Sequence, residues 1–145
     1  MSQPIILACP QCHRKNRIDE ARLTESPRCG VCKSALFNGE PLAMDNSMFN
    51  AHASADLPLV VDFWAPWCGP CRQFAPVFEK AAAELEPRVR LAKVNTEEQQ
   101  ALAARFGIRS IPTLLIMRGG KEIARVAGAM PPSQFSQWVK QQTGL

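Results

Sequence analysis

All six cysteines of this chain fall into Cys-x-x-Cys pairs: Cys9 with Cys12, Cys29 with Cys32, and Cys68 with Cys71. None is left over, and that pairing constrains the fold more than any other feature. Ile5 to Ala8 is far shorter than a membrane span or the apolar region of an export signal, so a cytoplasmic chain without membrane association is expected. Ile6-Leu7-Ala8-Cys9 matches a lipidation signal only loosely, because no basic residue precedes it. In a compartment that keeps thiols reduced, a disulfide framework gives way to metal binding or redox chemistry as the default use of cysteine.

Cys9-x2-Cys12-x16-Cys29-x2-Cys32 has the two-knuckle spacing of a tetrahedral four-thiolate zinc site. Each close pair brings two sulfurs to one ion, and the intervening loop carries the second pair around. Four protein ligands leave no open position, so the zinc is expected to be structural. Residues 1–38 hold few large apolar side chains, too few for a core of their own. Metal binding, roughly 10–16 kcal/mol in apparent terms for small zinc modules, is then folding free energy. Two disulfides and a rubredoxin-like iron site are the alternatives. His13, beside Cys12, is read as a surface residue, since four thiolates complete the ligand set.

The net charge of +4 does not point to nucleic acid. Up to Gly39, six Lys/Arg face three Asp/Glu, and beyond it eleven face ten. Four thiolates and one zinc ion reduce the front excess from +3 to +1, a weak electrostatic footprint.

Asn38-Gly39-Glu40-Pro41 combines turn formers with a proline and reads as a boundary. Beyond it, helical and strand patterns alternate, as in an α/β domain. Asp45 or Asn46 is expected to cap a helix to about Ala53, and Leu59 to Trp64 to form a strand. A helix from Cys68 to Leu85 follows, with a kink expected at Pro76. Val89 to Val94 reads as a strand, and Thr96 as the cap of a helix through Phe106 that stops at Gly107. Thr113 to Met117 and Glu122 to Ala127 flank Arg118-Gly119-Gly120-Lys121, a hairpin signature. Pro132 to Gln142 makes a last helix, with the proline in its first turn.

Trp67-Cys68-Gly69-Pro70-Cys71 therefore stands where a strand feeds a helix. Unpaired amides and the helix dipole favour a thiolate on Cys68, the attacking sulfur. Cys71, about one turn later, is placed to resolve a mixed disulfide and oxidise the pair. Half of a second metal site is the alternative, but the front pairs already complete a set. Asp62 interrupts Val60-Val61 and Phe63-Trp64. In a sheet covered on both faces it is buried and its pKa is raised, whereas an exposed strand position is the alternative.

Through Trp67-Cys68-Gly69-Pro70-Cys71, Asp62 and Ile111-Pro112-Thr113, residues from about 42 to 145 resemble the thioredoxin family. With the front cysteines, the whole chain is similar to its zinc-binding members. The resemblance implies an α/β thioredoxin fold with a small N-terminal zinc ribbon, over residues 39–145 and 1–38 respectively. It implies a protein-disulfide reductase acting through Cys68 and Cys71, with Asp62 exchanging a proton with Cys71 and Lys93 nearby; a solvated Lys93 is the plain alternative. It also implies that Pro112 follows a cis bond facing the pair, and that Trp67, Ile111 and Gly128 border a groove for an extended substrate backbone. Core packing at Ile111 and a simple turn at Gly128 are the alternatives. Arg72 and Pro66 depart from the usual lysine and acidic residue at those positions, which bears on partner choice and reduction potential.

The partners implied are thioredoxin reductase and disulfide-containing proteins, with the chain acting as a monomer. Two other functions compete. The ribbon's Arg14, Lys15, Arg17, Arg22 and Arg28 suit a zinc-dependent binding module, and oxidation of zinc-bound thiolates suits a redox sensor.

Overall fold

A computed structural model describes residues 3–145 of the chain. Met1 and Ser2, within the 1–38 span assigned to the ribbon, lie outside the described residues. The first elements are two short strands, β1 (Pro4–Ala8) and β2 (Lys15–Asp19), paired antiparallel with Leu7 opposite Asn16. Composition gave no warning of this hairpin, because its turn is the first cysteine knuckle and its second strand, Lys15–Asp19, is mostly polar and exposed. Leu7, Leu23 and Leu36 join Cys9 and Cys29 in a small buried cluster. That cluster also takes in Leu57 from outside the ribbon, so its apolar centre is shared.

The rest is one mixed sheet with helices on both faces. In chain order come β3 (Leu42–Ala43), α1 (Asn46–Ala53), β4 (Leu59–Trp64), α2 (Gly69–Leu85), β5 (Arg90–Asn95), α3 (Gln100–Arg105), β6 (Thr113–Arg118), β7 (Lys121–Ala127) and α4 (Pro132–Thr143). The strand order is β3-β5-β4-β6-β7; β3, β5 and β4 run parallel, while β6 and β7 are antiparallel to their neighbours. Because β4 is central, both its faces are covered, and alternation sorts its side chains. Val60 packs with Phe74 and Phe78 of α2 and Phe135 of α4. Val61 and Phe63 pack with Phe49 of α1 and Leu102 of α3.

Most expected elements stand where the patterns put them, with Asp45 capping α1 by accepting from the Met48 amide at 3.0 Å. The helix through Pro76 runs unbroken from Gly69 to Leu85. Thr96 is a correction. It does not cap α3, which begins four residues later at Gln100. Its hydroxyl donates instead to the Trp64 carbonyl at 3.1 Å, tying the end of β4 to the segment after β5. A side chain that can cap a helix can equally cap a strand end, and the sheet supplied the nearer acceptor. Among the described residues no helix is long and apolar enough to cross a membrane.

The ribbon is joined to the sheet by directed polar contacts. Arg90, at the start of β5 and 3% exposed, donates to the carbonyls of Leu36 at 2.8 Å and Ala8 at 3.1 Å. Its guanidinium lies 4.7 Å from the centre of the Phe37 ring and 3.5 Å from Glu86. Glu86 accepts from the Gly39 amide at 2.8 Å, which pins the segment read as a boundary onto the end of α2. His13 is half-buried, with Nδ1 3.0 Å from Nε2 of the buried His52 in α1. It is outside the cysteine cluster, as expected, yet it is an inter-element contact rather than a free surface residue. Burial, then the charges of Arg90 and His13, push the His52 pKa down to about 3.

Candidate functional site

The end of β4 hands the chain through Ala65-Pro66-Trp67 to Cys68, the N-cap of α2. Pro70 has no N–H, and its fixed φ suits a first helical turn. The amide that reaches the sulfur is that of Cys71, which donates to Cys68 Sγ at 3.2 Å. Cys68 and Cys71 form a disulfide with their Cα atoms 5.2 Å apart. Both are nearly buried and pack with Ala65, Trp64 and Ile111. On reduction, the amide donor and the helix N-terminus would stabilise negative charge on Cys68.

Asp62 is 1% exposed, and neither carboxylate oxygen has a hydrogen-bond partner among the described residues. Alternation puts it on the α2 face of β4, between Val60, which meets α2, and Trp64, which meets the cysteine pair. Burial raises its pKa to about 7, against the opposing charge of Lys93. Lys93 is its register partner on β5, and its ammonium lies 4.5 Å from the centre of the Trp64 ring. An uncompensated buried carboxyl is costly, which makes it informative beside a dithiol.

The rim of the pair is built by two loops. Trp67 is 67% exposed and donates through Nε1 to Glu97. The Ile111–Pro112 bond is cis, and the Ile111 carbonyl lies 3.8 Å from Cys68 Sγ. Ile111 is half-buried, whereas Pro112 is buried. Gly128 donates its amide to the Pro112 carbonyl at 2.8 Å and has a φ of 102°, a conformation that glycine adopts readily. Arg72 and Pro66 are both exposed beside the pair.

Far along the chain, Cys9, Cys12, Cys29 and Cys32 bring four sulfurs within 4.8 Å of one another, the one such cluster among the described residues. A tetrahedral zinc with 2.3 Å bonds needs sulfurs about 3.8 Å apart. Cys9 to Cys32 and Cys12 to Cys29 are each 3.6 Å, so the set fits the ion and is too wide for two disulfides. The surroundings suit thiolates. The amides of Gln11 and Val31 donate to Cys9 and Cys29 at 3.3 and 3.4 Å, and the Asn16 side chain donates to Cys29 at 3.5 Å. The Cys32 backbone, then Asn16, hold the Cys29 thiol down to about 5, whereas, against a hydrogen bond with the Arg14 backbone, desolvation and the neighbouring sulfurs push the Cys12 thiol up to about 11.

Sequence reasoning passed over Asn16, His52, Glu86, Arg90 and Glu97. A charged pair at the end of a helix and the start of a predicted strand was the available signal for Glu86 and Arg90. Of the ribbon cations, Arg17, Arg22 and Arg28 line one cleft of about 260 Å³, but Asp19 and Glu25 share it and Arg22 lies 3.6 Å from Glu25.

Two family models match in tandem, that of the thioredoxin 2 N-terminal segment over residues 8–34 and that of thioredoxin over residues 40–141. Thioredoxin C-3 of Corynebacterium nephridii is 42% identical over 139 residues, 95% of each chain. Thioredoxin 1 of a Nostoc species is 51% identical over 83 residues, covering 57% of this chain and 78% of its own. Among solved structures, a mutant thioredoxin from Halobacterium salinarum superposes with a TM-score of 0.68 at 30% identity, over 75% of this chain and 96% of its own. A redox disulfide on a helix N-terminus, the sheet that carries it and these matches agree: the chain belongs to the thioredoxin family and is a thiol-disulfide oxidoreductase.

Proposed function

We propose that this chain reduces disulfides in other proteins through Cys68 and Cys71, and that its four front cysteines hold one structural zinc ion. The observation that carries the reading is the Cys68–Cys71 disulfide at the N-terminus of α2, above an unpartnered Asp62. In the reduced form the Cys68 thiolate attacks one sulfur of a substrate disulfide. That S–S bond breaks, a mixed disulfide forms, and the first substrate thiolate leaves to take a proton from solvent. Asp62 as carboxylate accepts the proton of the Cys71 thiol, and the Cys71 thiolate attacks Cys68 Sγ. The mixed disulfide breaks, the second substrate thiolate leaves, and two electrons have passed to the substrate. A carboxyl with a pKa of about 7 is suited to give and take that proton near neutral pH. Lys93, its register partner, stabilises the carboxylate form from which Asp62 accepts that proton.

Substrate lies as an extended segment across Trp67, Ile111, cis Pro112 and Gly128. The exposed indole and half-buried Ile111 supply apolar contact there. A flavin-dependent thioredoxin reductase returns the pair to the dithiol, and the chain acts as a cytoplasmic monomer. Residues 1–38 are assigned to the ribbon and 39–145 to the redox domain. In the ribbon, Cys9, Cys12, Cys29 and Cys32 would ligate the zinc, whose part is structural. The test is NADPH-coupled reduction of insulin with thioredoxin reductase, alongside the metal content of the purified chain. Turnover that needs Cys68 and one zinc per chain are expected. Undiminished turnover by Cys68→Ser defeats the redox assignment, and iron in place of zinc defeats the metal assignment.

A further inference from the structure

We infer that Arg90 is a positioning residue for the metal site, held out by the redox sheet to lock the cysteine ribbon in its metal-binding form. Arg90 belongs to β5, the strand that also carries Lys93, and has no part in the dithiol chemistry. Yet it is 3% exposed, and both of its hydrogen bonds go to the ribbon. A buried guanidinium needs acceptors. Its directed hydrogen bonds go to the ribbon carbonyls of Leu36 and Ala8, while the carboxylate of Glu86 sits 3.5 Å away as a charge partner. Phe37 covers the guanidinium plane.

Both carbonyls bracket the metal ligands. Ala8 immediately precedes Cys9, and Leu36 follows Cys32 by four residues. One rigid fork therefore fixes the entry and exit of the ligand loop together, which a lysine could not do. Charge works in the same direction, because four thiolates around one divalent ion leave the site at −2 and Arg90 is a buried cation bonded to Ala8, the residue before the ligand Cys9. Burial lowers its pKa, and the charges of Glu86 and Cys9 oppose that. By reciprocity, if the sheet favours the metal-bound ribbon, metal on the ribbon stabilises the sheet by the same factor.

This inference rests on the structural-zinc reading, and the two fail in different ways. Full-length wild type, Arg90→Gln and Arg90→Lys are loaded with zinc under reducing conditions, and their zinc affinities are compared by competition with a chromophoric chelator. Arg90→Gln is expected to bind zinc about 5–150-fold more weakly, the usual span of coupling between sites. Arg90→Lys, which keeps the charge but not the fork, recovers part of the loss. Gln within twofold of wild type overturns the role of Arg90 while leaving the zinc site standing; a wild type that takes up no zinc sinks both. Should Arg90→Gln not fold, Arg90→Lys takes its place, and a zinc affinity within twofold of wild type overturns the role of the fork; the wild type tests the coupling itself. Stripping zinc must lower the urea midpoint of the redox domain, read by tryptophan fluorescence from Trp64, Trp67 and Trp138, and an unchanged midpoint refutes the coupling.

Discussion

Replacing Asp62 by asparagine removes a charge from a buried site while keeping its shape, and the effect on stability should depend on pH in a defined way. In the folded chain the carboxyl titrates at about 7, against 3.8 for an unperturbed aspartate. The folded state therefore holds the proton more tightly than the unfolded one. Stability from this group is fully present below the unfolded pKa and is lost as pH rises from about 4 towards and through 7. Three pKa units correspond to about 4 kcal/mol at full ionisation. Asparagine leaves a similar buried polar group without a partner, so its constant cost drops out when curves at several pH values are compared. Urea unfolding of oxidised wild type and Asp62→Asn, followed by tryptophan fluorescence from pH 5 to pH 8, should show the variant gaining about 3 kcal/mol on the wild type across that window. Parallel stability curves for the two proteins would refute the claim that Asp62 is an uncompensated buried acid.

Cys71→Ser should stop the reaction at the mixed disulfide, accumulating a covalent adduct with a protein substrate that disappears under dithiothreitol; release of substrate at the wild-type rate would place the resolving thiol elsewhere. Gly128→Ala finds no atom within 4 Å of its new Cβ, so its cost is the backbone at φ 102°, about 1–3 kcal/mol, seen as a lower urea midpoint and a raised KM for protein disulfides. Phe74→Ala removes a side chain that is 1% exposed and packed on Phe78 and Phe135, and should cost about 3–5 kcal/mol in a denaturation titration.

Much of the redox half was legible because its signals are local. A β-rich run into a helix with Cys68 at its start needs no knowledge of distant residues, and the hairpin glycines Gly119 and Gly120 announce their turn. Asp62 was also readable, since a charge inside Val60-Val61-Asp62-Phe63-Trp64 is out of pattern. The ribbon strands were not. Pro4 to Ala8 and Lys15 to Asp19 pair across a knuckle, and half their faces are solvated. Thr96 misled because a hydroxyl satisfies whichever backbone group comes nearest, and only the meeting of β4 with the end of β5 decided that.

The close cysteine pairs and the strand and helix periodicity were therefore determined by the sequence itself, because each depends on residues within a turn or two of one another. What covers a side chain was decided in three dimensions. Asp62 became an acid near neutrality because α2 closes over β4, and Arg90 became a buried cation because the ribbon docks on β5. Desolvation depends on everything packed around a group: for Asp62 that is the helix following its own strand together with the neighbouring β5, and for Arg90 it is the ribbon, 54 and 82 residues away at its two hydrogen bonds.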